Sequence, residues 1–326
     1  MSEMNYMEAI RDGLRVAMKA DERVYIFGED LGPYGGVFGV TKGLFEEFGG
    51  PPRVRNTPLS EGAIIGEAIG AALAGLRPVP EIQFSDFITC AMTPLIDVMG
   101  TYRYRFGTNI PVTIRMPSGG GMSIGPFHSK SLEAWFVHSP GFKVVMPSTP
   151  RDAKGLLLAA IEDPDPVLYL EHKRLYNRVH GEVEDGYFTV PLGEGLVKRE
   201  GKDLTVVTYG DMVYTVLEAA TQLEGEGYDI EVIDLRTIWP YDEALVNASI
   251  AKTNRVIVVH EAAKIGGFGG EIVARINEQC FASLAAPPLR VAAKHTPPPS
   301  HPVLERIFLP QVEDVVAAAR KLLTEY

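Results

Sequence analysis

Two side chains able to carry a proton stand at breaks in the sequence pattern. Glu61 opens the run SEGAIIGEAIGAALAGL, and His128 closes on the glycine-rich run SGGGMSIGPFHSKS. A carboxylate in the first turn of a helix complements the helix dipole, so Glu61 has a structural role open to it beside an acid-base one. Three consecutive glycines and a proline fit no regular element, which puts His128 on an irregular loop. Loops on α/β scaffolds carry function disproportionately, and imidazole titrates near neutrality. A plain surface histidine is the competing reading. The glycines of SGGGM do not make the phosphate loop GxxxxGK[ST], and IGGFGGEI has Ile272 where GxGxxG needs its last glycine. A GDG…N signature for a metal-bound diphosphate is missing too, since Gly210-Asp211 is followed by Met212. Any diphosphate cofactor then needs its anchor from elsewhere. Cys90 and Cys280 form no CxxC pair and lie near no histidine at metal-ligand spacing, which leaves neither a zinc site nor a disulfide framework.

The elements that must position these residues alternate along the chain. VYIFGED, the helix from Ser60, RPVPEIQF, a helical stretch to about Tyr104, PVTIRMPSGGG, KVVMPS and RDAKGLLLAAIED read as strands and helices in turn. Such alternation implies a parallel sheet covered on both faces. A second α/β series runs from LTVVTYG to a last helix over about 312–323. Two parallel-sheet α/β domains are therefore expected, over 1–185 and 204–326, with the mixed-charge, glycine-containing stretch 186–203 as linker. The opening residues MSEMNYMEAIRDGLRVAMKADERV read as an amphipathic helix without the apolar core of a signal peptide. The helix from Ser60 carries Gly62, Gly66, Gly70 and Ala74 at four-residue spacing, a small-residue stripe that admits a close neighbour. That neighbour is either its own sheet or another subunit.

Length and charge bound the function. At 326 residues, 46% apolar and 22% charged, the chain can bury a core in each of two domains. A formal charge of −11 disfavours a nonspecific nucleic-acid surface, and no run of roughly 18 apolar residues supports a membrane span. Two unpaired cysteines suit a reducing cytoplasm or organelle matrix.

Taken in order, VYIFGED, NTPLSEGAIIGEAIGAALAGLRPVPEIQF, RYRFGTNIPVTIRMPSGGG, FHSKSLEAWF, PGFKVVMPSTPRDAKGLLLAAIEDPDPVLYLEHKRLY and VIDLRTIWP resemble the β subunits of pyruvate, branched-chain 2-oxo acid and acetoin dehydrogenases. The resemblance runs nearly end to end. It implies a pyrimidine-binding domain followed by a transketolase C-terminal-like domain, with thiamine diphosphate at the interface with an α subunit in an α2β2 heterotetramer. The α chain would hold magnesium and the diphosphate, which accounts for the missing GDG…N signature. By the same resemblance Glu61 contacts the pyrimidine ring, Phe87 stacks on it, and Leu59 and Gln83 line its pocket. Some relatives have Tyr at the position of Phe87. His128 faces the route by which the lipoyl arm of a dihydrolipoyl acyltransferase arrives. Glu29, in the GED loop, matches an acidic position in a channel between paired cofactors, although a turn carboxylate explains it equally well. Val112, Ala160, Ile161, Asp163 and Asp165 match positions whose oxygens bind a structural potassium ion in relatives.

The chemistry so implied asks for these residue types. A carboxylic acid hydrogen-bonded to the pyrimidine nitrogen favours the imino tautomer, and burial favours the protonated acid. The cofactor then carries the difficult step of a 2-oxo acid decarboxylation while the protein orients and shields it. Transfer of the acyl group to the lipoyl disulfide needs a proton for the departing sulfur, which an imidazole can give. A noncatalytic scaffold of the same fold is the alternative, and it would be expected to lack Glu61 or His128. Which 2-oxo acid, or acetoin, serves as substrate is not legible in this chain.

Overall fold

A computed structural model of the protein describes residues 1–326 and divides into two compact units, one of 1–118 and 135–192, the other of 119–134 and 193–326. The first unit begins with β1 (Ser2–Asn5), α1 (Tyr6–Ala20), β2 (Val24–Gly28), α2 (Leu44–Glu47), β3 (Val54–Asn56), α3 (Glu61–Leu73) and β4 (Arg77–Glu81). A 3-10 segment at Ser85–Ala91 and a π-helical one at Thr93–Met99 lead into α4 (Gly100–Phe106). Then come β5 (Thr113–Ser118), α5 (Glu133–His138), β6 (Lys143–Val145), α6 (Pro150–Glu162), β7 (Val167–His172) and β8 (His180–Val183).

Within the first unit the strands of the main sheet run β6-β7-β5-β4-β2-β3, with each of these pairs parallel. β2, β5 and β7 are buried along their whole length, as strands covered on both faces are, which is why they read as largely apolar runs rather than alternating ones. The chain from β2 passes to β3 on one side, whereas the chain from β4 passes to β5 on the other. The crevice outside the carboxyl ends of β2 and β4 is thus a topological switch point, where open α/β sheets bind ligands.

α1 starts where Asn5 and Glu8 cap each other reciprocally, and its stripe Tyr6, Ile10, Leu14 and Met18 is buried. Burying an Ile or Leu of this kind stabilises by roughly 1.5–3 kcal/mol each. Gly13 lets α1 approach α6 closely, since a Cβ there would meet Leu157 at 3.3 Å. The amino-terminal residues differ from the expected single helix. Ser2–Asn5 instead form β1, paired antiparallel with β8, because the Asn5 cap fixes the start of the helix and leaves the preceding backbone extended.

The second unit holds β9 (Leu196–Arg199), β10 (Leu204–Thr208), α7 (Met212–Glu224), β11 (Ile230–Asp234), β12 (Thr237–Trp239), α8 (Glu243–Thr253), β13 (Val256–Ala263), α9 (Gly269–Cys280), β14 (Leu289–Ala293), α10 (Pro302–Phe308) and α11 (Val312–Thr324). Its sheet runs β14-β13-β10-β11-β9 and is parallel except at the edge, where β9 joins antiparallel. β9 lies inside the stretch read from sequence as linker. Val206, Val232, Ile257 and Val259 of the strands pack against Val216 and Ala219 of α7 and Val315 and Ala319 of α11. No helix is long and apolar enough to cross a membrane.

Candidate active site

The switch-point crevice of the first unit gathers Glu29, Glu61 and Gln83. Glu29 directly follows β2, Gln83 lies two residues beyond β4, and Glu61 is the first residue of α3. Gln83 Nε2 donates to Asp30 Oδ2 at 3.3 Å, joining the two strand ends. Glu29 is 4% exposed, and neither of its carboxylate oxygens has a hydrogen-bond partner. Burial pushes its pKa up, and the charges of Glu61 and Asp30 push it further, against a smaller opposing pull from the Ser60 amide. Glu61 and Glu29 therefore stand close enough to feel each other. Ser60 gives α3 no side-chain cap, so the helix begins with Glu61 against its free amides.

Phe87 sits edge-on to Phe84 with centroids 5.6 Å apart, and Leu59, two residues before α3, is 82% exposed. These residues belong to one unit. His128 belongs to the other, in the loop 119–134, where its backbone amide donates to the Gly125 carbonyl at 3.2 Å. The residues matched to a potassium site cluster about the carboxyl end of α6. Arg77 Nη1 donates to the carbonyls of Ile161 and Asp163 at 2.7 and 3.4 Å, and Lys143 Nζ lies 2.7 Å from Asp163 Oδ1. The Ala160 carbonyl accepts the Asp163 amide, the Val112 carbonyl accepts the Val167 amide, and Asp165 pairs with Arg103.

Sequence reading missed the charges beneath the crevice. Arg115, fully buried on β5, donates to both oxygens of Glu171 at 2.6 and 2.9 Å and to Glu81 Oε2 at 2.7 Å. Tyr176 Oη adds a hydrogen bond to Glu171 at 2.7 Å. Burial pushes Glu81 up to about 7 because Arg115 gives its two-pronged contact to Glu171 and only one bond to Glu81. Arg115 stays charged, the two carboxylates outweighing its own burial. The register was the usable signal. Glu81 and Arg115 are cross-strand partners, and Glu171 lies two residues beyond Tyr169, the partner of Arg115 on β7.

The small-residue stripe of α3 does not pack on its own sheet. Ile64, Ile65, Ala68, Ile69 and Ala72 face inward, whereas a Cβ added at Gly66 or Gly70 would meet nothing within 4 Å. A hollow of about 550 Å³ lined by Tyr25, Arg53, Arg55, Glu67 and Ala71 borders it at Gly70.

Comparison with known proteins gives first the class. Residues 2–179 match the transketolase pyrimidine-binding domain and residues 193–315 the transketolase C-terminal domain. A solved split-gene transketolase, described as an inactive β4 tetramer, superposes with TM-score 0.80 at 25% identity over 98% of this chain and 99% of that one. The protein is thus transketolase-like, with the fold of thiamine-diphosphate enzymes. Over 325 residues, 99% of each chain, it is 49% identical to the pyruvate dehydrogenase E1 component subunit beta of Bacillus subtilis (strain 168). It is 45% identical, with the same coverage, to the 2-oxoisovalerate dehydrogenase subunit beta of that organism. The chain belongs to the family of β subunits of thiamine-diphosphate-dependent 2-oxo acid dehydrogenases.

Proposed function

We propose that the Glu29, Glu61 and Gln83 crevice receives the pyrimidine ring of thiamine diphosphate, with Glu61 on a ring nitrogen, Phe87 against its face and Leu59 at the rim. The observation that supports this most is Glu29, a buried carboxyl with no partner in its own chain, standing beside Glu61 at the switch point. Buried polar groups in folded proteins mostly find partners, so an external donor fits there. The bound cofactor supplies a nucleophilic carbon and a sink for the electrons released with carbon dioxide. Glu61 passes a proton to and from the ring nitrogen, and Glu29, held above the usual carboxylate range, retains its own proton to higher pH. Gln83 is steadied by Asp30.

The enzyme so formed decarboxylates a 2-oxo acid, pyruvate or a branched-chain one as in the two Bacillus relatives, and reductively acylates a lipoyl group. His128 gives the proton to the departing sulfur. An α subunit completes the site with magnesium and the diphosphate anchor, consistent with a sequence lacking GDG…N. Two α and two β chains assemble, and the bare Gly66 and Gly70 face of α3 meets another subunit. A lipoyl-bearing acyltransferase takes the product. We also propose a potassium ion at the carboxyl end of α6, among Val112, Ala160, Ile161, Asp163 and Asp165, where the negative end of a helix favours a cation, in competition with the contacts that Arg77, Lys143 and Arg103 make there. We assign the pyrimidine-binding domain to 1–185, apart from the insert 119–134 that belongs to the second unit, and the C-terminal domain to 204–326, and place the chain, with two free thiols, in a reducing cytoplasm.

Two variants co-expressed with the α subunit test this. Glu61→Gln should nearly abolish proton exchange at the cofactor's reactive carbon while circular dichroism shows a folded protein. His128→Ala should keep most of the activity with an artificial electron acceptor yet lose roughly two to four orders of magnitude in reductive acylation, the contribution of a positioned acid. Wild-type exchange in folded Glu61→Gln, or equal losses in both His128→Ala assays, would remove the respective residue from its role.

A further inference from the structure

The loop that carries His128 is fastened by two carboxylates of its own unit. Glu305, the fourth residue of α10, is 4% exposed and gives both oxygens to the loop. Its Oε1 accepts the Gly121 amide at 2.9 Å, and its Oε2 accepts the Ser123 amide at 2.7 Å and the Ser123 hydroxyl at 2.8 Å. Glu261, on β13, accepts the Gly120 amide at 2.6 Å and the Ser131 hydroxyl at 3.0 Å. The Gly119 amide donates to the Lys130 carbonyl at 3.3 Å and closes the base.

Apolar packing does not account for this order. Met122, Ile124 and Phe127 are 42%, 38% and 69% exposed, so the loop turns its large side chains outward. Its backbone is also one the chain would not keep unaided. Ser123 has φ +58°, a left-handed conformation that a residue with a Cβ disfavours, between Gly121 at +84° and Gly125 at +80°. Such conformations persist where the surroundings over-determine them. Glu305 does so with three charge-assisted hydrogen bonds. α10 is itself a fixed base, for Phe308 and Leu309 pack with Ala293, and the Phe308 carbonyl accepts the Lys294 amide at 3.1 Å.

We infer that Glu305 is a positioning residue for acyl transfer, holding the 119–128 loop so that His128 meets the arriving lipoyl sulfur. The inference rests on the role given to His128 above. A glutamine at 305 keeps one acceptor oxygen but turns an NH2 toward amides that already donate, so at least one bond is lost.

The test uses the complex assembled with its α subunit, pyruvate and branched-chain 2-oxo acids in turn, and a free lipoyl domain as acceptor. Glu305→Gln should lower kcat for reductive acylation by about 10- to 100-fold, the cost of a misplaced catalytic group. KM for the lipoyl domain and the artificial-acceptor rate should stay within about twofold, since neither passes through His128. Amide exchange across 119–128 should quicken, and Glu305→Asp should restore part of the rate. Added to His128→Ala, Glu305→Gln should cost nothing more, because residues acting through one another are not additive. Undiminished acylation with wild-type exchange would overturn the inference, as would equal loss in both assays or additive loss in the double variant. A selective loss in His128→Ala with a silent Glu305→Gln sinks the clamp alone. No selective loss in His128→Ala sinks the role of His128 and the clamp's catalytic part with it, while quickened exchange in Glu305→Gln would still register the tie to the loop. If Glu305→Gln fails to assemble, Ser123→Ala removes one of the three bonds and must show the same selective loss on a smaller scale.

Discussion

Two buried side chains set opposing pH responses in this fold. Glu81 titrates at about 7, above its ordinary 4.5, so the folded chain binds more protons than the unfolded one between those values. Its contribution to stability is present at low pH and is lost as pH rises from about 4.5 through 7, a difference of roughly 3 kcal/mol. His260, on β13, runs the other way. Its ring lies parallel to Tyr209, a Cβ at Gly267 or Gly269 would strike it at 2.5 Å, and neither nitrogen has a hydrogen-bond partner. Burial, helped by the charge of Arg290, lowers it to about 4, so its contribution is present above 6.5 and is lost as pH falls through 4. The two windows overlap, and the effects nearly cancel. Glu81→Gln should unmask the His260 limb, with a urea midpoint that climbs between pH 4 and 6.5. His260→Leu should unmask the Glu81 limb, with a midpoint that falls between pH 4.5 and 7. Flat profiles in both variants would refute the assignment. Glu61 and His128 could be singled out in the sequence as candidates because each follows a break in pattern. Glu81, Arg115 and Glu171 were not, since they pair across three strands from separate parts of the chain.

Helices with a strong apolar stripe were the easiest elements to read. α3 and α11 begin within a residue of where the sequence put them, although α3 stops at Leu73, before the end of its run. β1 and β9 were hidden for a physical reason: SEMN and LVKR are short strands without a full apolar face, and only their partners β8 and β11 make them strands. The glycine spacing of α3 was visible, but not the direction it faces, because orientation is decided by which side meets the sheet. With Gly66 facing open space, Gly66→Leu should leave the isolated chain as stable or stabilise it by up to about 1 kcal/mol, glycine being a poor helix former. The same change should prevent assembly with the α subunit, as judged by co-purification. Normal assembly of Gly66→Leu would show that this face stays bare.

For the whole molecule, the expected assembly is two α and two β chains. Light scattering of the co-expressed pair should give the mass of that heterotetramer, and a stable one-to-one dimer, or turnover by this chain alone with thiamine diphosphate, would contradict it. The two-domain α/β plan was readable from alternating strands and helices. The allegiance of 119–134 was not, because nothing in SGGGMSIGPFHSKS records that its amides end on Glu261 and Glu305, more than 130 residues later. The second unit is therefore discontinuous in the gene, built from an early insert and the carboxyl-terminal 134 residues, 193–326. Recombination at residue 192 would leave the whole histidine loop on the amino-terminal piece and its fastenings, Glu261 and Glu305, on the other. Exchange of these two units between relatives should then succeed only when the insert travels with the carboxyl-terminal piece, which makes His128 and Glu305 a single unit of inheritance.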